Sequence, residues 1–399
     1  MFSQKPTKYA FVLGHVPQLS QAEVVRVLQA ENFGLKVILL TDQVLIMETN
    51  QELEVRELMA RLGGTVKIAQ IIDQVSGDRL IQSIKEIIVQ KSKIKNQNNN
   101  VKIKNRFQFG FSLYGKADIK EFQNVGLGVK RILKEQGTPC RFVVSKEKSL
   151  SAVIIKKEHL LDQGLDLVII ANQGEYYLGG TVAIQDFEAY STRDYGRPSR
   201  DDKSGMLPPK LAQIMINLSQ VDQNDVILDP FCGSGTVLQE ALMLGYKNII
   251  GSDISAKAIA DCRNNNSWLK TKYNFKIDGV KIYELDVRNL EHKVGPASVD
   301  AIITEPYLGE AQNSKLKTQS MEKLGELYIN AFSQFYKVLR PGNRVVIVLP
   351  IIQGQKMEIL DAIQKIGFTR EPLSDNPRLS IVYGREGQRV EREIFVFKK

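Results

Sequence analysis

The hydrophobic positions of the first 72 residues follow two different periods. Apolar runs of strand length lie at 8–13, 34–40, 43–49 and 64–72. Between these runs, apolar residues recur at helical spacing in 20–30 and in 51–61, and Ser20 with Glu23 is typical of a capping box at a helix start. The pattern therefore predicts the element order β-α-β-β-α-β.

This order is the split arrangement of ferredoxin-like domains, so we expect residues 1–75 to form such a domain. A second α+β unit is expected over 76–186. Its helix-like and strand-like segments lie at 79–90, 106–114, 118–135, 140–144, 150–155, 165–172 and 175–186. Gly174 is a candidate hairpin turn between the last two segments. Residues 91–105 combine lysines with an Asn/Gln tract, which predicts a flexible basic loop.

The chain changes character after residue 186. Residues 187–205 are polar, rich in arginine and interrupted by glycine and proline, so we expect a linker or a functional loop. From residue 206 onward, predicted strands and helices alternate strictly. The strands lie at 225–229, 248–252, 281–285, 299–304 and 343–349, and the helices at 207–219, 236–244, 255–269, 321–339 and 354–366.

This alternation predicts an α/β domain over 206–399, with a mostly parallel sheet that is covered on both faces. Two apolar runs at 379–383 and 390–397 flank a glycine-containing segment, which is typical of a hairpin. A hairpin reverses the chain direction. The last strand at the C-terminus is therefore expected to be antiparallel to the others.

Composition places the chain among globular proteins. Its 399 residues are 43% hydrophobic and 25% charged, which excludes a wholly disordered chain and suits two or three domains. No stretch approaches the length of a membrane span, and the first residues lack the apolar core of a secretory signal. Three cysteines without a Cys-x-x-Cys pair argue against a disulfide framework and a thiolate zinc site. We expect a soluble cytoplasmic protein without a bound metal.

Positive charge is concentrated in one part of the chain. The formal net charge is +9, but residues 91–160 hold 16 Lys and Arg against five Asp and Glu, a net +11. A basic segment on a near-neutral body is typical of proteins that bind a polyanion, nucleic acid above all. A solvated lysine-rich face would show the same charge, so charge alone leaves both interpretations open.

The strongest functional pattern is the segment 229–236, DPFCGSGT, which directly follows a predicted strand. Glycines at a strand-to-helix turn let the backbone approach a ligand closely. A dinucleotide fingerprint would need a third glycine or alanine where Leu238 stands, and Asp229 would repel a pyrophosphate. The pattern favours a ligand with a cationic end, such as S-adenosylmethionine.

Polar residues also follow the next three predicted strands, as Asp253, Asp286 and the segment 304–307. Ligands of open α/β sheets bind at the carboxyl ends of the strands, near the switch in strand order, so these residues are expected to line one crevice. There Asp253 would accept hydrogen bonds from ribose hydroxyls, and Asp286 from an adenine amino group. A helix N-cap explains each aspartate equally well when it is taken alone. Their joint placement favours a cofactor site.

These motifs resemble those of class I S-adenosylmethionine-dependent methyltransferases. The segment 204–212, SGMLPPKLA, is similar to the one before the cofactor loop in the tRNA guanine-N2 methyltransferases that modify position ten, and 109–115 and 179–182 are also similar to that family. The resemblance implies a Rossmann-like methyltransferase sheet behind a ferredoxin-like domain and a THUMP RNA-binding domain. It further implies S-adenosyl-L-methionine as cofactor and tRNA as partner. Our own hypothesis is a monomer that binds no membrane, with the oligomeric state left open by the sequence. Whether a small activating subunit is needed, as in some relatives, stays open.

The resemblance also implies which residues form the site. Cofactor contacts are expected from Asp229, Phe231, Cys232, Gly233, Gly235, Thr236, Asp253, Ile254, Asp286 and Val287. Base flipping also requires a grip on the RNA backbone. Phosphate contacts are expected from Lys130, Arg131, Lys134, Arg141, Arg193, Arg197 and Arg200.

The catalytic motif departs from the family pattern. In the family, an Asp- or Asn-Pro-Pro-aromatic tetrad accepts the N–H groups of the target amine and stacks on the flipped base. Here the corresponding residues are Thr304, Glu305, Pro306 and Tyr307. Without a gap, Thr304 replaces the Asp or Asn, so the acceptor is either Glu305, one position later, or Thr304 with a neighbouring carbonyl. A core position for Tyr307 and a solvated one for Glu305 are the alternatives.

The prediction from sequence is methyl transfer to the exocyclic N2 amine of a tRNA guanosine, with position ten as the expected target. Two rivals stay open. DNA amino-methyltransferases that act on adenine or cytosine carry similar glycine turns, although in one major class the Pro-Tyr motif precedes the turn, whereas here it follows. The departure at Thr304 and Glu305 also allows an RNA-binding protein whose methyltransferase domain is inactive.

Overall fold

The computed structural model describes residues 6–31, 33–98, 106–200, 206–275, 277–308, 318–373, 379–384 and 388–399. The chain divides into two compact units. The first unit comprises Met1–Pro17, Glu31–Ala60 and Thr65–Phe187, and the second comprises Gln18–Ala30, Arg61–Gly64 and Glu188–Lys399. In the described residues, no helix combines the length and the hydropathy that a membrane span requires.

One eight-stranded sheet forms the first unit. Its strands are β1 (Thr7–Leu13), β2 (Leu35–Leu40), β3 (Val44–Thr49), β4 (Thr65–Ser76), β5 (Phe107–Gly115), β6 (Cys140–Val143), β7 (Gly164–Asn172) and β8 (Glu175–Ile184). Their order in the sheet is β2-β3-β1-β4-β8-β7-β5-β6. The first four strands are antiparallel neighbours in the predicted ferredoxin-like order. Pairing of β4 with β8 continues the sheet into the second predicted domain.

The helices of this part of the chain follow the apolar periodicity. They are α1 (Pro17–Ala30), α2 (Val55–Arg61), α3 (Leu80–Asn98), α4 (Ile119–Glu135) and α5 (Ala152–Lys157). Helix α3 extends to Asn98, so the prediction of a loop from residue 91 was wrong over 91–98, while 99–105 lie outside the described residues. Lysine and glutamine are good helix formers, and the buried Ser92 continues the face of Ile84 and Ile88.

Residues of α1 and the segment 61–64 belong to the second unit because buried polar groups connect them to it. The carboxylate of Glu23 accepts hydrogen bonds from the backbone N–H groups of Gly63 and Gly64 at 2.9 and 2.8 Å, and from Asn217 Nδ2 at 2.7 Å. Arg26 Nη1 donates to the carbonyl oxygen of Leu218 at 2.9 Å. These bonds satisfy charged groups that burial would otherwise penalise.

The second unit contains the predicted alternation of strands and helices. Its strands are β9 (Val226–Asp229), β10 (Asn248–Asp253), β11 (Val280–Glu284), β12 (Val299–Thr304), β13 (Leu339–Ile352), β14 (Thr369–Glu371), β15 (Ile381–Tyr383) and β16 (Val390–Lys398). Its helices are α6 (Phe187–Tyr195), α7 (Pro209–Ser219), α8 (Thr236–Met243), α9 (Ala256–Tyr273), α10 (Leu290–Val294), α11 (Thr318–Val338) and α12 (Leu360–Ile366).

The sheet order of the second unit is β11-β10-β9-β12-β13-β16-β14, with β15 paired to β16. Strands β9 to β13 pair in parallel, and β16 runs antiparallel to β13 and β14. This arrangement confirms the predicted Rossmann-like sheet with its antiparallel last strand, which lies between β13 and β14. The strand order reverses beside β9, because β10 lies on one side of it and β12 on the other. Ligand sites of open α/β sheets form at such a switch point.

Candidate functional site

The carboxyl ends of β9, β10, β11 and β12 surround one cleft of about 520 Å³ in the second unit. Every predicted cofactor residue except Gly235 lines this cleft. Those lining residues are Asp229, Phe231, Cys232, Gly233, Thr236, Asp253, Ile254, Asp286 and Val287. The structure therefore brings together, at the switch point, residues that lie up to 58 positions apart between Asp229 and Val287.

Two glycines shape the turn between β9 and α8, and they do so for different reasons. Gly233 and Gly235 have φ values of 50° and 91°, which a residue with a Cβ adopts only at a cost. A Cβ at Gly233 would meet no protein atom within 4 Å, so the backbone there is open on its cleft side. A Cβ at Gly235 would lie 2.7 Å from Cys262 Sγ on α9. Gly235 thus serves helix packing and does not line the cleft, and its contact with the cofactor stays a prediction.

Asp229 is a buried carboxylate with one oxygen left for a ligand. Its Oδ1 accepts hydrogen bonds from Thr304 Oγ1 at 2.6 Å and from the Phe231 backbone N–H at 3.1 Å. Its Oδ2 accepts none from the described residues. Burial raises the pKa of Asp229 to about 7, and the charges of Asp253 and Glu305 add to the effect. A cation bound at Oδ2 would stabilise the ionised carboxylate of Asp229 and so lower its pKa.

Asp253 and Asp286 both accept from backbone N–H groups, but only Asp286 is a helix N-cap, and Ser255 caps the helix after Asp253. Asp253 accepts from the Gly233 N–H at 3.0 Å and from the Ser255 N–H at 2.9 Å. Asp286 caps a short 3₁₀ turn through the Arg288 N–H, and its ion pair with the Arg288 side chain lowers its pKa. Each carboxylate oxygen has two lone pairs, so Asp253, with one bond to each oxygen, keeps acceptor capacity toward the cleft, whereas both oxygens of Asp286 accept two bonds from Arg288.

Thr304 and Glu305, the first two residues of the expected catalytic motif, have different surroundings. The Thr304 side chain is fully buried and donates to Asp229, so the proposal that it accepts from a substrate amine is corrected. Glu305 lines the cleft, and its side chain is 10% exposed. Its carboxylate is paired with Arg392, with Nε 2.6 Å from Oε1 and Nη2 3.3 Å from Oε2. A solvated loop position for Glu305 is therefore excluded.

Pro306 and Tyr307 complete the wall next to Glu305. Pro306 is buried, whereas Tyr307 is 52% exposed and lines the cleft. The carbonyl oxygen of Tyr307 accepts a hydrogen bond from Tyr328 Oη at 2.6 Å, which fixes the backbone below the exposed ring. An aromatic ring that is half exposed at a cleft is available for stacking, and Tyr307 is not a core residue.

Two arginines expected to contact phosphate are buried instead. Arg193 donates to both carboxylate oxygens of Glu240, at 2.7 and 3.0 Å, and Arg197 Nη1 donates to Thr236 Oγ1 at 2.7 Å. Both residues therefore attach the α6 region to α8, which begins at the cofactor turn. The expectation of phosphate contacts is corrected for these two residues, and the predicted linker contains a helix. Arg200 is exposed, with its guanidinium carbon 5.1 Å from the Tyr195 ring centroid.

The remaining predicted RNA-binding residues belong to the first unit. Arg131 and Lys134 are exposed on α4, and Lys130 is half-buried beside them. Arg141 follows on β6, where its guanidinium pairs with Glu158 at 2.7 Å. These cations fall in the basic segment of the sequence and do not line the cleft.

Sequence reasoning missed several groups of the cleft. Met206 and Leu207 precede α7, Leu327 lies on α11, and Arg288 follows Asp286. Arg392 was also missed, because its partner Glu305 is 87 positions away and the chain carries no local pattern that connects them. Arg288 follows the strand-end residue Asp286 by two positions, and from this spacing its place in the cleft could have been predicted.

Two protein-family models match parts of the chain. A model described as an RMKL-like methyltransferase domain matches residues 197–370, which contain the cleft. A second model, described as a DNA methylase, matches residues 68–263 and ends within α9, before the Thr304 strand.

Two similar sequences are tRNA (guanine(10)-N2)-dimethyltransferases of archaea. The protein of Methanocaldococcus jannaschii is 28% identical over 221 residues, 52% of this chain and 59% of that protein. The protein of Methanothermobacter thermautotrophicus is 32% identical over 146 residues, 37% of this chain and 39% of that protein. The matches confirm the resemblance drawn from the sequence, over part of each relative's length.

Among solved structures, the crystal structure of TrmN from Thermus thermophilus is similar over nearly the whole chain. The match covers 98% of this chain and 99% of that one, with a TM-score of 0.57 and 16% sequence identity. Such a likeness shows a common fold. It confirms the predicted architecture, in which a Rossmann-like α/β sheet follows an N-terminal α+β part along the chain.

Proposed function

We propose that this chain, a relative of the tRNA guanine-N2 methyltransferases, transfers a methyl group from S-adenosylmethionine to the exocyclic N2 amine of a guanosine in tRNA. One observation carries the proposal. The cleft at the switch point combines buried Asp229, which has an oxygen without a partner among the described residues, with Glu305 and the exposed Tyr307. Position ten is the expected nucleotide, as in the archaeal relatives.

The cleft suits S-adenosylmethionine in charge and in shape. When bound, this cofactor supplies a methyl group on a positively charged sulfur and carries a cationic amino group. Asp229 Oδ2 offers a carboxylate to a cation, Asp253 offers acceptors for ribose hydroxyls, and Ile254 presents an apolar side chain that is 67% exposed. An exposed apolar side chain in a cleft is suited to cover an aromatic base.

Glu305 is the residue best placed to accept from the target amine. The lone pair of an exocyclic guanine amine is delocalised into the ring, so acceptors for its N–H groups help to orient it toward the methyl carbon. Thr304 is committed to Asp229, which leaves the carboxylate one position later as the acceptor. Nitrogen gains the methyl group as the carbon–sulfur bond breaks, and the amine then releases one proton. Tyr307 would stack on the flipped base.

The first unit supplies the basic surface in this proposal. Residues 91–160 carry a net +11, and Arg131 and Lys134 are exposed there. Phosphate contacts of this kind would bind folded tRNA by charge and shape. The proposal includes a ferredoxin-like part over 1–75, a THUMP-like part over 76–186, a linker over 187–205 and the methyltransferase domain over 206–399, acting as a cytoplasmic monomer. It leaves the need for an activating subunit open.

The test is to incubate the protein with methyl-labelled S-adenosylmethionine and either total tRNA or duplex DNA, and to identify the labelled nucleoside. The proposal expects label in N2-methylated guanosine of tRNA. Label in adenine or cytosine of DNA alone would support the rival that the DNA methylase match favours. Binding of RNA and cofactor without any label would support an inactive binder.

Glu305→Ala tests the role of the carboxylate. We expect turnover to fall by about 10²- to 10³-fold, since an acceptor that orients the reacting amine is lost. Cofactor affinity should change little, because the residue at the cationic end of the cofactor is Asp229. Glu322→Ala, at an exposed position of α11, is the matched control and should leave turnover unchanged. Unchanged turnover in Glu305→Ala would remove Glu305 from the mechanism.

A further inference from the structure

We infer that Arg392 is a positioning residue for the methyl-transfer step, because it fixes the orientation of the Glu305 carboxylate that accepts from the target amine. The inference rests on the proposed function. It concerns a residue from the last strand of the sheet, far in sequence from the motif that it serves.

The contact is a fork between a guanidinium and a carboxylate. Arg392 Nε lies 2.6 Å from Glu305 Oε1, and Nη2 lies 3.3 Å from Oε2. Two parallel N–H donors fix the plane of a carboxylate as well as its distance, which a single point charge does not. The same Nη2 also donates to the carbonyl oxygen of Met206 at 3.5 Å, and Met206 is another residue that lines the cleft.

The backbone that carries Arg392 is rigidly placed. Arg392 lies in β16, where it is paired with Pro350 of β13 and with Tyr383 of β15. Glu305, by contrast, follows the end of β12 and lies outside regular structure. A glutamate side chain has three rotatable bonds and one methylene more than the aspartate of the family motif. A fixed arginine therefore restrains a longer and less constrained acid at the reacting position.

Charge in the cleft adds a second reason for the arginine. Among the described residues, the charged and titratable groups that face Glu305 are Asp229, Tyr328 and Arg392. Burial raises the pKa of Glu305, and Arg392 opposes that rise. The ionised carboxylate accepts through both oxygens, whereas the protonated form uses one of them as an O–H donor. Arg392 thus favours the protonation state as well as the orientation that the amine requires.

A second fork on the same sheet provides the comparison. Arg344 of β13 pairs with Glu371 of β14 at 2.6 and 3.1 Å, and neither residue lines the cleft. If the Arg392–Glu305 pair only stabilised the sheet, replacement of Arg392 and replacement of Arg344 should change stability and methyl transfer in the same way. If Arg392 positions Glu305, only its removal should change the chemistry at the cleft.

The experiment compares Arg392→Met, Arg392→Lys and Arg344→Met with the wild type in tRNA methylation across pH. For Arg392→Met we expect kcat to fall about 10- to 100-fold, with the KM for tRNA and the Kd for the cofactor within twofold of the wild type. Arg392→Lys, which keeps the charge but loses the fork, should give an intermediate kcat. The acid limb of the kcat profile should move to higher pH in Arg392→Met. Arg344→Met should retain the wild-type kcat and the wild-type position of the acid limb of the kcat profile.

The contact between Arg392 and Glu305 can also be measured without catalysis, through the titration of the Glu305 carboxyl group. In protein labelled with ¹³C at the glutamate side-chain carboxyl, the Glu305 signal is assigned by its loss in Glu305→Gln. Its titration should move to higher pH in Arg392→Met and remain unmoved in Arg344→Met. In the kinetics, Arg392→Met should add no further loss of kcat to Glu305→Gln, because both variants remove one function.

The outcomes separate this inference from the proposed function. A wild type that methylates tRNA, with Arg392→Met variants whose kcat and titration are unchanged, overturns the positioning role. Additive losses in the double variant overturn it as well. A wild type that transfers no methyl group to tRNA overturns the proposed function, while the shifted carboxyl titration would still support the contact between Arg392 and Glu305.

Discussion

Asp229 shows how one buried residue prepares the cleft for a cation. Its pKa of about 7 reflects burial first and the neighbouring charges of Asp253 and Glu305 second, against hydrogen bonds from Thr304 and the Phe231 N–H. A protein keeps such a carboxylate at a cost in stability near neutral pH. A ligand that brings positive charge to Oδ2 lowers that cost, so ligand binding and deprotonation of Asp229 are coupled.

We expect the affinity for S-adenosylmethionine to rise with pH between about 5.5 and 7.5. The cation favours the ionised form, so binding lowers the pKa of Asp229 from about 7 and releases a proton. Below the pKa of the free protein, the affinity should fall by up to about tenfold per pH unit. Calorimetric titration at several pH values, in buffers of different ionisation enthalpy, measures both the Kd and the proton release.

Asp229→Asn is the matched variant for this coupling. It keeps the shape of the side chain and cannot ionise, so it should bind the cofactor more weakly and lose the part of the pH dependence that Asp229 contributes. Equal pH dependence in the wild type and in Asp229→Asn would show that another group is responsible.

The role of a residue could be predicted from the sequence where its place at a strand end determines its position. It could not be predicted where the burial of the side chain depends on partners far away in sequence. Asp253 and Asp286 were placed in the cleft by the periodicity of the strands before them and by the rule for strand ends. Thr304 and Glu305 are adjacent in sequence, yet one is buried against Asp229 and the other lines the cleft. Their partners are distant in sequence, Asp229 for Thr304 and Arg392, 87 positions away, for Glu305.

At the scale of elements, the turn from β9 into α8 depends on its packing against α9. Gly235 has φ 91°, and a Cβ there would lie 2.7 Å from Cys262 Sγ and 3.2 Å from Asn266 Nδ2. The hydrogen bond from the Gly235 N–H to the Cys232 carbonyl oxygen, at 2.8 Å, closes the same turn. A substitution at this glycine therefore affects the helix contact and the cofactor turn together.

Gly235→Ala should destabilise the second unit and weaken cofactor binding. The positive φ costs about 1–2 kcal/mol for a residue with a Cβ, and overpacking against Cys262 costs about 1–3 kcal/mol more. Gly342→Ala is the matched control, because Gly342 has φ 81° and a Cβ there meets no atom within 4 Å. Urea unfolding and cofactor titration measure both effects. Equal losses of unfolding free energy in the two variants would contradict a packing role for Gly235.

Element prediction failed where polar residues occupy buried positions. Helix α6 lies in the segment predicted as a linker, and its buried face includes Arg193 and Tyr190. The Arg193 charge is compensated by Glu240 of α8, a contact that hydrophobic periodicity cannot reveal. Strand β14 was missed because its three residues are all polar and two of them are exposed, so no apolar pattern marks it. The long apolar strands and the helices with clear 3.6 periodicity were predicted closely.

At the scale of the whole chain, the excess positive charge and the candidate cleft belong to different units. The net charge of +9 arises from a segment of +11, and the exposed cations Arg131 and Lys134 belong to the first unit. The cleft with Asp229 and Glu305 belongs to the second unit. If the first unit binds the RNA backbone, RNA affinity and cofactor affinity should respond to separate sets of substitutions.

The triple variant Lys130→Glu, Arg131→Glu and Lys134→Glu tests this separation. We expect tRNA affinity at about 0.1 M salt to fall at least about tenfold, because phosphate contacts are replaced by repulsion. The slope of log K against log salt should become shallower by roughly 2 to 3 if each cation neutralises one phosphate. The Kd for S-adenosylmethionine should stay unchanged. Filter binding over a salt series and calorimetry measure these quantities.

A control with the same change in net charge decides whether the location of the cations matters. It reverses three exposed lysines of the second unit, namely Lys281, Lys323 and Lys365. Long-range attraction between a basic protein and RNA would weaken by a similar amount in both triple variants, since it depends on total charge. Direct phosphate contacts on α4 predict the larger loss, and the shallower salt slope, in the first-unit variant alone. Equal losses would therefore reject α4 as an RNA-binding surface and leave the basic segment as a solvated face.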